Sequence, residues 1–163
     1  MEYQISKEHK ISVSNRIGKK ERNIMAQQIT TFIKNEPGTL AAFCTLLKNS
    51  GVDMRAMNVS DAMDFGIVRV IVSNTAAAEK VLTENGYVCQ KQDVLAIEVQ
   101  DHPGSLVELL TILGDAGVNL EYTYALFSRH EGTAGFVIKT TDRAHAESAL
   151  SKAGIKTLAE EEL

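Results

Sequence analysis

The chain has 163 residues, of which 44% are hydrophobic, so it contains enough apolar material for one substantial core or two small ones. Its formal net charge of −4 has the wrong sign for a protein that binds nucleic acid through phosphates, so no nucleic acid partner is expected. Apolar runs are far shorter than the ~20 residues that cross a bilayer. No apolar stretch follows the N-terminal charges either, so neither a signal peptide nor a membrane partner is expected.

The sequence contains few residues that could perform chemistry. Two cysteines, Cys44 and Cys89, provide neither a disulfide framework nor the ligands of a structural zinc site. The four histidines are scattered, and none has another metal-ligating residue at a suitable spacing. A P-loop and a GxGxxG motif are also absent from the sequence. We therefore expect a cytoplasmic protein that has no catalytic residues, metal ion or cofactor.

Residues 1–26 are predicted to form an N-terminal arm. The first 24 residues contain six Lys or Arg and three Glu, a charge of +3 that leaves −7 for the rest of the chain. They lack the periodicity of a core element, whereas Met25 begins a more ordinary start, MAQQITTFI. Three origins stay open for the arm: an upstream extension from a misplaced start, a vector-derived segment or tag, and a docking arm.

From Gln27 onward the sequence repeats itself. Pro37-Gly38 recurs as Pro103-Gly104, at an offset of 66. The same offset aligns Leu40 with Leu106, Phe43 with Leu109, Cys44 with Leu110, Leu47 with Leu113, Gly51 with Gly117 and Val52 with Val118. Gly86 and Gly154 are 68 residues apart, so two residues are inserted in the second copy, near residues 128–133. The repeat predicts two domains, copy one at residues 27–92 and copy two at 93–163.

Both copies show the same order of local signals. Residues 29–33 and 95–99 alternate with a period of two, which predicts a first strand. The next apolar residues, Leu40, Phe43, Cys44 and Leu47, share one helix face, as do their counterparts in copy two. The further predicted elements are strands at 54–60, 66–73 and 87–90 with a helix at 75–85, then strands at 120–127, 133–140 and 155–158 with a helix at 142–153.

The element order is therefore βαββαβ in each copy. Asn74 and Thr141 are the predicted caps of the second helices. Right-handed crossovers place both helices of a copy on one face of an antiparallel sheet, which predicts an α+β, ferredoxin-like fold. A copy of ~66 residues is small for a lone domain, so we expect the copies to pack together or against another chain.

The two Pro-Gly loops are candidate anion sites, because each stands where a strand turns into a helix. Backbone N–H groups in a first helical turn lack partners within the helix. The groups concerned belong to Gly38, Thr39, Leu40, Gly104, Ser105 and Leu106. The helix dipole adds positive potential there, which suits a ligand carboxylate. Asn35 and Asp101 offer an oxygen to an ammonium group or, alternatively, cap the helix.

These loops and the segments after the first helices resemble the ACT domain family. The sequence reads NEPGTL at 35–40 and GVDM at 51–54, then DHPGSL at 101–106 and GVNL at 117–120. The resemblance covers residues 27 to about 160. It implies small ligand-sensing modules that bind amino acids and regulate amino-acid metabolism. The side chains of Leu40, Leu106, Met54 and Leu120 are expected in the core rather than in a ligand wall.

Asp53 and Asn119 match the family position that often reaches a ligand across a domain interface. Simple turn chemistry after a helix-ending glycine is the alternative. If each loop faces the second strand of the neighbouring copy, Asn35 pairs with Asn119 and Asp101 pairs with Asp53. Two amides serve both ends of a zwitterion, whereas two carboxylates repel a ligand carboxylate. We therefore expect the Asn35–Asn119 site to be the stronger, and the acidic pair to be empty or to hold a cation.

The sequence thus predicts a non-catalytic amino-acid sensor made of two ACT domains. Its expected partners are a small-molecule amino acid and a further copy of the chain, in a homo-oligomer such as a dimer. One alternative is a regulatory subunit of a target enzyme of amino-acid biosynthesis, such as an acetolactate synthase. Another is a hydrolase of ferredoxin-like fold related to acylphosphatases, which needs an arginine in the loop after the first strand. Neither Pro-Gly loop contains an arginine.

Overall fold

The structure, a computed structural model, describes residues 25–163. These residues form a seven-stranded antiparallel sheet, four α-helices and a short 3-10 turn. In chain order the elements are β1 (Ala26–Lys34), α1 (Thr39–Asn49), β2 (Met54–Ala62), β3 (Phe65–Val72), α2 (Thr75–Glu84), β4 (Gln90–Gln100), α3 (Ser105–Asp115), β5 (Leu120–Leu126), β6 (Thr133–Thr140), α4 (Arg143–Lys152), β7 (Thr157–Leu158) and the 3-10 turn (Glu160–Glu162). The predicted arm lies outside the described residues, except for Met25 and Ala26, and Ala26 begins β1.

The predicted βαββαβ order and ferredoxin-like fold are confirmed, but strand β4 belongs to both copies. The sequence predicts a closing strand at 87–90 and an opening strand at 95–99, whereas the structure has one continuous strand. Its residues 90–94 pair with β1 and residues 95–100 pair with β6. The segment has no glycine or proline to begin a turn, so the extended chain continues. The strand order is therefore β2-β3-β1-β4-β6-β5, with the short β7 paired to Ala96 and Ile97.

Helices α1 and α3 pack on the sheet through a narrower line than the predicted stripe. Phe43 and Leu47 in α1 are fully buried, as are their counterparts Leu109 and Leu113 in α3. The expectation that Leu106 lies in the core is wrong, because its side chain is 36% exposed. Residues four apart form one line along a helix, and only this line is fully buried against the sheet. Leu40, Met54 and Leu120 pack against the cores as partly buried residues, and so does Cys44.

The sheet separates helix-facing cores from an inner cluster. Val70 and Ile138 face the helices, whereas their neighbours Ile71 and Val137 face the opposite side. The inner cluster consists of Ala26, Ala56, Ile71, Val94, Ala96, Tyr124, Leu126, Val137 and Leu163. The Phe127 N–H donates to the Arg55 carbonyl at 2.8 Å, so β2 and β5 meet although they lie at opposite ends of the strand order. The sheet therefore curls around the inner cluster with the helices outside.

The helix caps follow the sequence in one copy and differ in the other. Asn74 caps α2 as predicted, because its side chain accepts a hydrogen bond from the Ala77 N–H at 3.0 Å. The prediction for Thr141 is wrong: Asp142 caps α4 and accepts from the His145 N–H at 3.3 Å. The helix begins one residue later than the sequence suggests, which moves the cap to Asp142.

The two inserted residues lie between β5 and β6, where residues 127–132 replace the short 63–64 turn of copy one.

Candidate functional site

Each Pro-Gly loop leads directly into a helix through a left-handed glycine. Gly38 has a φ of 88° and Gly104 a φ of 104°, and each is the N-cap of its helix without a side-chain cap. Such a φ strains any residue with a Cβ, so the two positions require glycine. Within the described residues, neither the Gly38 N–H nor the Gly104 N–H donates to a backbone carbonyl of a turn, loop or cap. Unpaired N–H groups at a helix start are what an anion site needs.

Thr39 and Ser105 take part in closing the loops. Their N–H groups have no partner within the helix, as expected, but they donate to the loop carbonyls of Glu36 (3.3 Å) and His102 (3.1 Å) and are less available to an anion. The Thr39 hydroxyl donates to the Lys34 carbonyl at 2.7 Å, and the Ser105 hydroxyl bonds the end of β4 in the same way. Short hydroxyl side chains commonly bond nearby carbonyls in turns. Both side chains therefore hold the loop shape.

The residues two positions before the prolines do not cap the helices. The Asn35 amide donates to the Met63 carbonyl at 3.3 Å, and its backbone N–H donates to the carbonyl of Asp64. The Asp101 N–H donates to the Gly132 carbonyl at 2.9 Å. Each loop thus lies against the hairpin of its own copy. Among residues 25–163, neither the Asn35 side-chain oxygen nor the Asp101 carboxylate accepts a hydrogen bond, so both stay available to an ammonium group.

Asp53 and Asn119 each lie at the far end of the strands from the Pro-Gly loop of their own copy. The Asp53 carboxylate is 63% exposed and forms an ion pair with Arg55 at 3.0 Å. The Asn119 carbonyl accepts a hydrogen bond from the Thr140 hydroxyl at 2.8 Å. Strand β2 has nine residues, so Asp53 and the hairpin at Asn35 are roughly 30 Å apart along the sheet. Asn35 and Asp53 therefore do not meet within their own copy.

The structure does not join the loops to these residues across the copies either. Among the hydrogen bonds of residues 25–163, none links Asn35 to Asn119 or Asp101 to Asp53. Asp53 nevertheless shares a pocket with Phe127 of copy two, and the Asp101 loop lies against the same 127–132 hairpin through Gly132. The pairing of Asn35 with Asn119 therefore stays a prediction.

Each Pro-Gly loop borders a groove between its first strand and the end of the second helix. The copy-two groove has a volume of about 600 Å³ and the copy-one groove about 280 Å³. Residues that line the copy-two groove include Glu98, Gln100, His102, Glu108, Ile112 and Ile155. Residues that line the copy-one groove include Phe32, Lys34, Thr39, Ala42, Gly86 and Tyr87. The two grooves occupy equivalent places in the repeat.

The sequence differences between the copies account for the difference between the grooves. Tyr87 in copy one stands where copy two has Ile155, and its ring packs edge-on against Phe43 at 5.6 Å. Phe32 and Ala42 in copy one correspond to carboxylates in copy two. The Tyr87 side chain is larger than that of Ile155, so the copy-one groove is smaller. Copy one lacks the two carboxylates, so its groove is also less charged.

The copy-two groove carries charged groups of both signs. Glu98 is held in place, since its carboxylate accepts from the Ser128 hydroxyl at 3.2 Å and lies 2.8 Å from His130 Nδ1. Its side chain is only 14% exposed. On the helix side, His102 Nε2 is 3.8 Å from a carboxylate oxygen of Glu108. The predicted site residues include Ser105 but not Glu98. The repeat aligns Glu98 with Phe32, and this change from an aromatic residue to a carboxylate was visible in the sequence.

Membrane-spanning helices and clusters of metal-ligating side chains are both absent from the described residues. None of the helices within 25–163 is long and apolar enough to cross a membrane. The same part of the chain has no group of three or more His, Cys, Asp or Glu side chains arranged to hold a metal ion.

Comparisons with known proteins agree with this geometry. A family model described as an ACT domain pair matches residues 24–163. A crystal structure of a protein from Bacteroides thetaiotaomicron is similar with a TM-score of 0.78 and 28% identity, over 85% of this chain and 95% of that chain. The ligand-free regulatory subunit of aspartate kinase from Thermus thermophilus is similar with a TM-score of 0.61 and 15% identity, over 80% and 93%. At that identity the likeness shows the fold alone. Comparison with curated proteins gives no match.

Proposed function

The chain belongs to the ACT domain pair family, and on this basis we propose that it is a non-catalytic regulatory protein that binds an amino acid. The observation that carries the proposal is the repeated Pro-Gly loop. In both copies a glycine with positive φ opens a helix, and its N–H group is left without a backbone carbonyl. A carboxylate is the natural partner of such groups, and Asn35 or Asp101 supplies an oxygen for the ammonium end.

The thiols favour a regulatory role over catalysis. Burial raises the pKa of Cys44 and is the largest cause of the raised pKa of Cys89. A thiol with a raised pKa is a poor nucleophile near neutral pH, because the thiolate is the reactive form. Both cysteines are free, which suits the reducing cytoplasm that we propose as the location.

In this proposal two chains associate as a homodimer, and the stronger ligand site pairs Asn35 of one chain with Asn119 of the other. The supporting observation is that the Asn35 side-chain oxygen accepts no hydrogen bond among residues 25–163 and so remains available beside its loop. The ligand-binding residues proposed are Asn35, Gly38, Thr39, Leu40, Asp53, Asp101, Gly104, Ser105, Leu106 and Asn119, with Thr39 and Ser105 acting through loop shape.

A second candidate function is a regulatory subunit that controls a separate enzyme of amino-acid biosynthesis. The likeness in fold to the aspartate kinase regulatory subunit, over 93% of that chain, favours this candidate. The two candidates differ in whether the chain forms a stable complex with an enzyme. Co-purification of a tagged chain from its native cells, followed by an assay of the recovered enzyme with and without amino acids, separates them.

A thermal-shift screen of the twenty amino acids tests the proposed function. A ligand that binds the native state alone raises the melting temperature, so at least one amino acid should raise it in a concentration-dependent way. Two controls are the corresponding α-hydroxy acid and the amino-acid amide, which each lack one charged end. The proposal fails if no amino acid shifts the melting temperature at millimolar concentration.

A further inference from the structure

The inner face of copy one continues beyond the inner cluster, and it is apolar there. Phe32 in β1, like Phe65 and Ile67 in β3, lies on this face, because its neighbours in the strand point to the other side. Those neighbours include Ile33 and Val68, whose side chains belong to the helix-facing core. Phe32 lies opposite Ile67 in the register of β1 and β3. The three side chains therefore form one surface across two paired strands.

Solvent reaches much of this surface. Phe32 is 56% exposed and Phe65 is 50% exposed, and Met63, in the turn that leads into Phe65, is 86% exposed. Ile67 is partly buried. We refer to these four residues as the apolar patch. A contiguous apolar surface on a folded chain marks a place where another molecule binds.

Arg69 separates the apolar patch from the interior of the curled sheet. Its guanidinium lies 4.5 Å from the centre of the Tyr122 ring and donates to the Ser60 hydroxyl at 3.2 Å. Ile67 is the next residue of β3 on the same face, so the apolar patch begins outside this closure. Substitutions in the apolar patch should therefore leave the interior packing intact.

Copy two does not repeat the apolar patch. Its equivalent positions are polar or lack a side chain, and they are occupied by Glu98, Thr133 and Gly135 in place of Phe32, Phe65 and Ile67. Glu98 bonds to Ser128 and His130 of its own copy, so hydrogen bonds within the chain satisfy this surface. The fold thus does not require apolar residues at these positions. Their presence in copy one points to a partner that covers them.

One cation and one anion flank the apolar patch. Lys34 lies opposite Phe65 in the strand register, and Asp64 precedes Phe65 in the chain. Both are exposed, and neither forms an ion pair among residues 25–163. A twofold contact brings a surface onto the same surface of a second chain. Lys34 of each chain can then meet Asp64 of the other, so the apolar patch is complementary in charge to a copy of itself.

We propose that two copies of the chain associate through the apolar patch, face to face about a twofold axis. The inference rests on the homodimer of the proposed function and names its interface. In this contact the phenylalanines of one chain pack on those of the other, as in two sheets that pack face to face about 10 Å apart. Lys34 and Asp64 pair at the rim.

The size of the apolar patch predicts a weak dimer. A fully covered aromatic side chain buries about 150–250 Å², so two half-exposed phenylalanines and Met63 provide on the order of 300–400 Å² per chain. Two facing patches then bury about 600–800 Å² of apolar surface, which is at the low end for a specific interface. The fraction of dimer should therefore depend on concentration in the micromolar range or above.

Sedimentation velocity on the full chain, from micromolar to millimolar concentration, tests the inference. We expect the average mass to rise from one chain toward two. Phe65→Thr introduces the copy-two residue and should raise the dimer dissociation constant by about tenfold or more, because each dimer loses two aromatic contacts. Phe127→Thr is the matched control, since Phe127 is 58% exposed but lies outside the apolar patch. It should leave the dissociation constant unchanged.

Two charge reversals test the twofold geometry. Lys34→Asp gives a chain with two carboxylates beside the apolar patch, and Asp64→Lys gives a chain with two ammonium groups. Like charges meet in each homodimer, so each variant alone should associate about threefold to tenfold more weakly at low salt. Opposite charges meet in a 1:1 mixture, which should dimerise as tightly as the unmodified chain. A folding defect cannot produce this rescue, so the test stays decisive if Phe65→Thr does not fold.

The outcomes separate this inference from the proposed function. If amino acids raise the melting temperature but the chain stays monomeric at every concentration, amino-acid binding holds and the inference is wrong. If Phe65→Thr dimerises as tightly as the unmodified chain, another surface joins the copies and the inference is wrong, although the homodimer holds. If the mixture of charge variants shows no rescue, the twofold contact is overturned.

The N-terminal arm is the other occupant that the same protein can reveal. Amide resonances of the ¹⁵N-labelled full chain report on it. If the chain is monomeric and Phe65→Thr shifts resonances of residues 1–24, the arm covers the apolar patch and the inference is overturned.

Discussion

Copy one and copy two have the same element order and the same Pro-Gly loop, but they differ beside the first strand. Copy one fills this space with Tyr87 and lines it with Phe32, whereas copy two has Ile155 and Glu98 in the equivalent positions. The buried residues that hold helix to sheet are equivalent in both: Phe43 and Leu47 correspond to Leu109 and Leu113. The groove therefore differs between the copies, while the packing of helix on sheet is retained.

The shared parts of the molecule connect the two copies closely. Strand β4 contributes to both ladders, and the end of copy two reaches copy one where the Glu160 carboxylate accepts from the Thr75 hydroxyl at 2.7 Å. The Tyr124 hydroxyl of copy two donates to the buried Gln28 of copy one at 2.8 Å. The copies thus differ in their grooves but share one structural unit, and they should unfold together.

The largest expected effect comes from the equivalent core leucines. Leu47→Ala and Leu113→Ala each remove a fully buried side chain, and each should lower the free energy of unfolding by about 2–5 kcal/mol. Because β4 is common to both copies, either variant should unfold in a single transition. Urea denaturation followed by circular dichroism measures both quantities. Two separate transitions in either variant would show that the copies are independent.

A smaller effect is expected where the copies meet at Tyr124. Tyr124→Phe leaves the Gln28 side-chain oxygen without this donor in a buried site, at a cost of about 1–3 kcal/mol. Tyr122→Phe is the matched control and should cost less, because Gln28 Nε2 keeps its bond to Thr30 at 2.8 Å. Equal losses in the two variants would contradict this account of the junction.

The same tyrosine should make stability depend on pH under alkaline conditions. Burial, and then the neighbouring Tyr122, raise the pKa of Tyr124 in the folded state. The neutral phenol is therefore favoured by folding, and its contribution is complete below the unfolded pKa of about 10 and is lost as the pH rises above that value. Denaturation at a series of pH values should show a shallower alkaline decline for Tyr124→Phe. The variant Tyr87→Phe should keep the decline of the unmodified chain.

The proposed ligand site gives an effect that only binding measurements detect. Asn119→Ala should weaken amino-acid binding by about 1–3 kcal/mol, the scale of a lost buried hydrogen bond. Asp53→Ala should change binding little, because the carboxylate is exposed and already paired with Arg55. Calorimetry with the amino acid identified in the thermal-shift screen measures both. The reverse order of effects would contradict the pairing of Asn35 with Asn119.

The smallest effects concern the caps of the second helices. Asn74→Ala and Asp142→Ala remove equivalent caps in the two copies, and each should cost about 0.5–2 kcal/mol. Thr141→Ala is the control and should be nearly neutral, since Asp142 and not Thr141 accepts the bond from His145. A Thr141→Ala loss as large as that of Asp142→Ala would restore the cap that the sequence suggests.

Local patterns along the chain were sufficient to predict the duplication, the element order and the Pro-Gly loops. These features depend on chemistry between near neighbours along the chain: the period of apolar residues, the need for glycine at a positive φ, and the caps of helices such as Asn74. The resemblance to ACT domains rests on the same local motifs, which is why it extended correctly over both copies.

How these parts meet depends on contacts that local patterns do not reveal. The continuity of β4, the curl of the sheet around the inner cluster and the contact of Asn35 with the hairpin at Met63 all join residues that are distant in sequence. The size of the groove in each copy depends on which side chain, Tyr87 or Ile155, packs from the far end of that copy. Such contacts are set by the packing of whole elements, because burial of the apolar faces outweighs the local preference of any one segment.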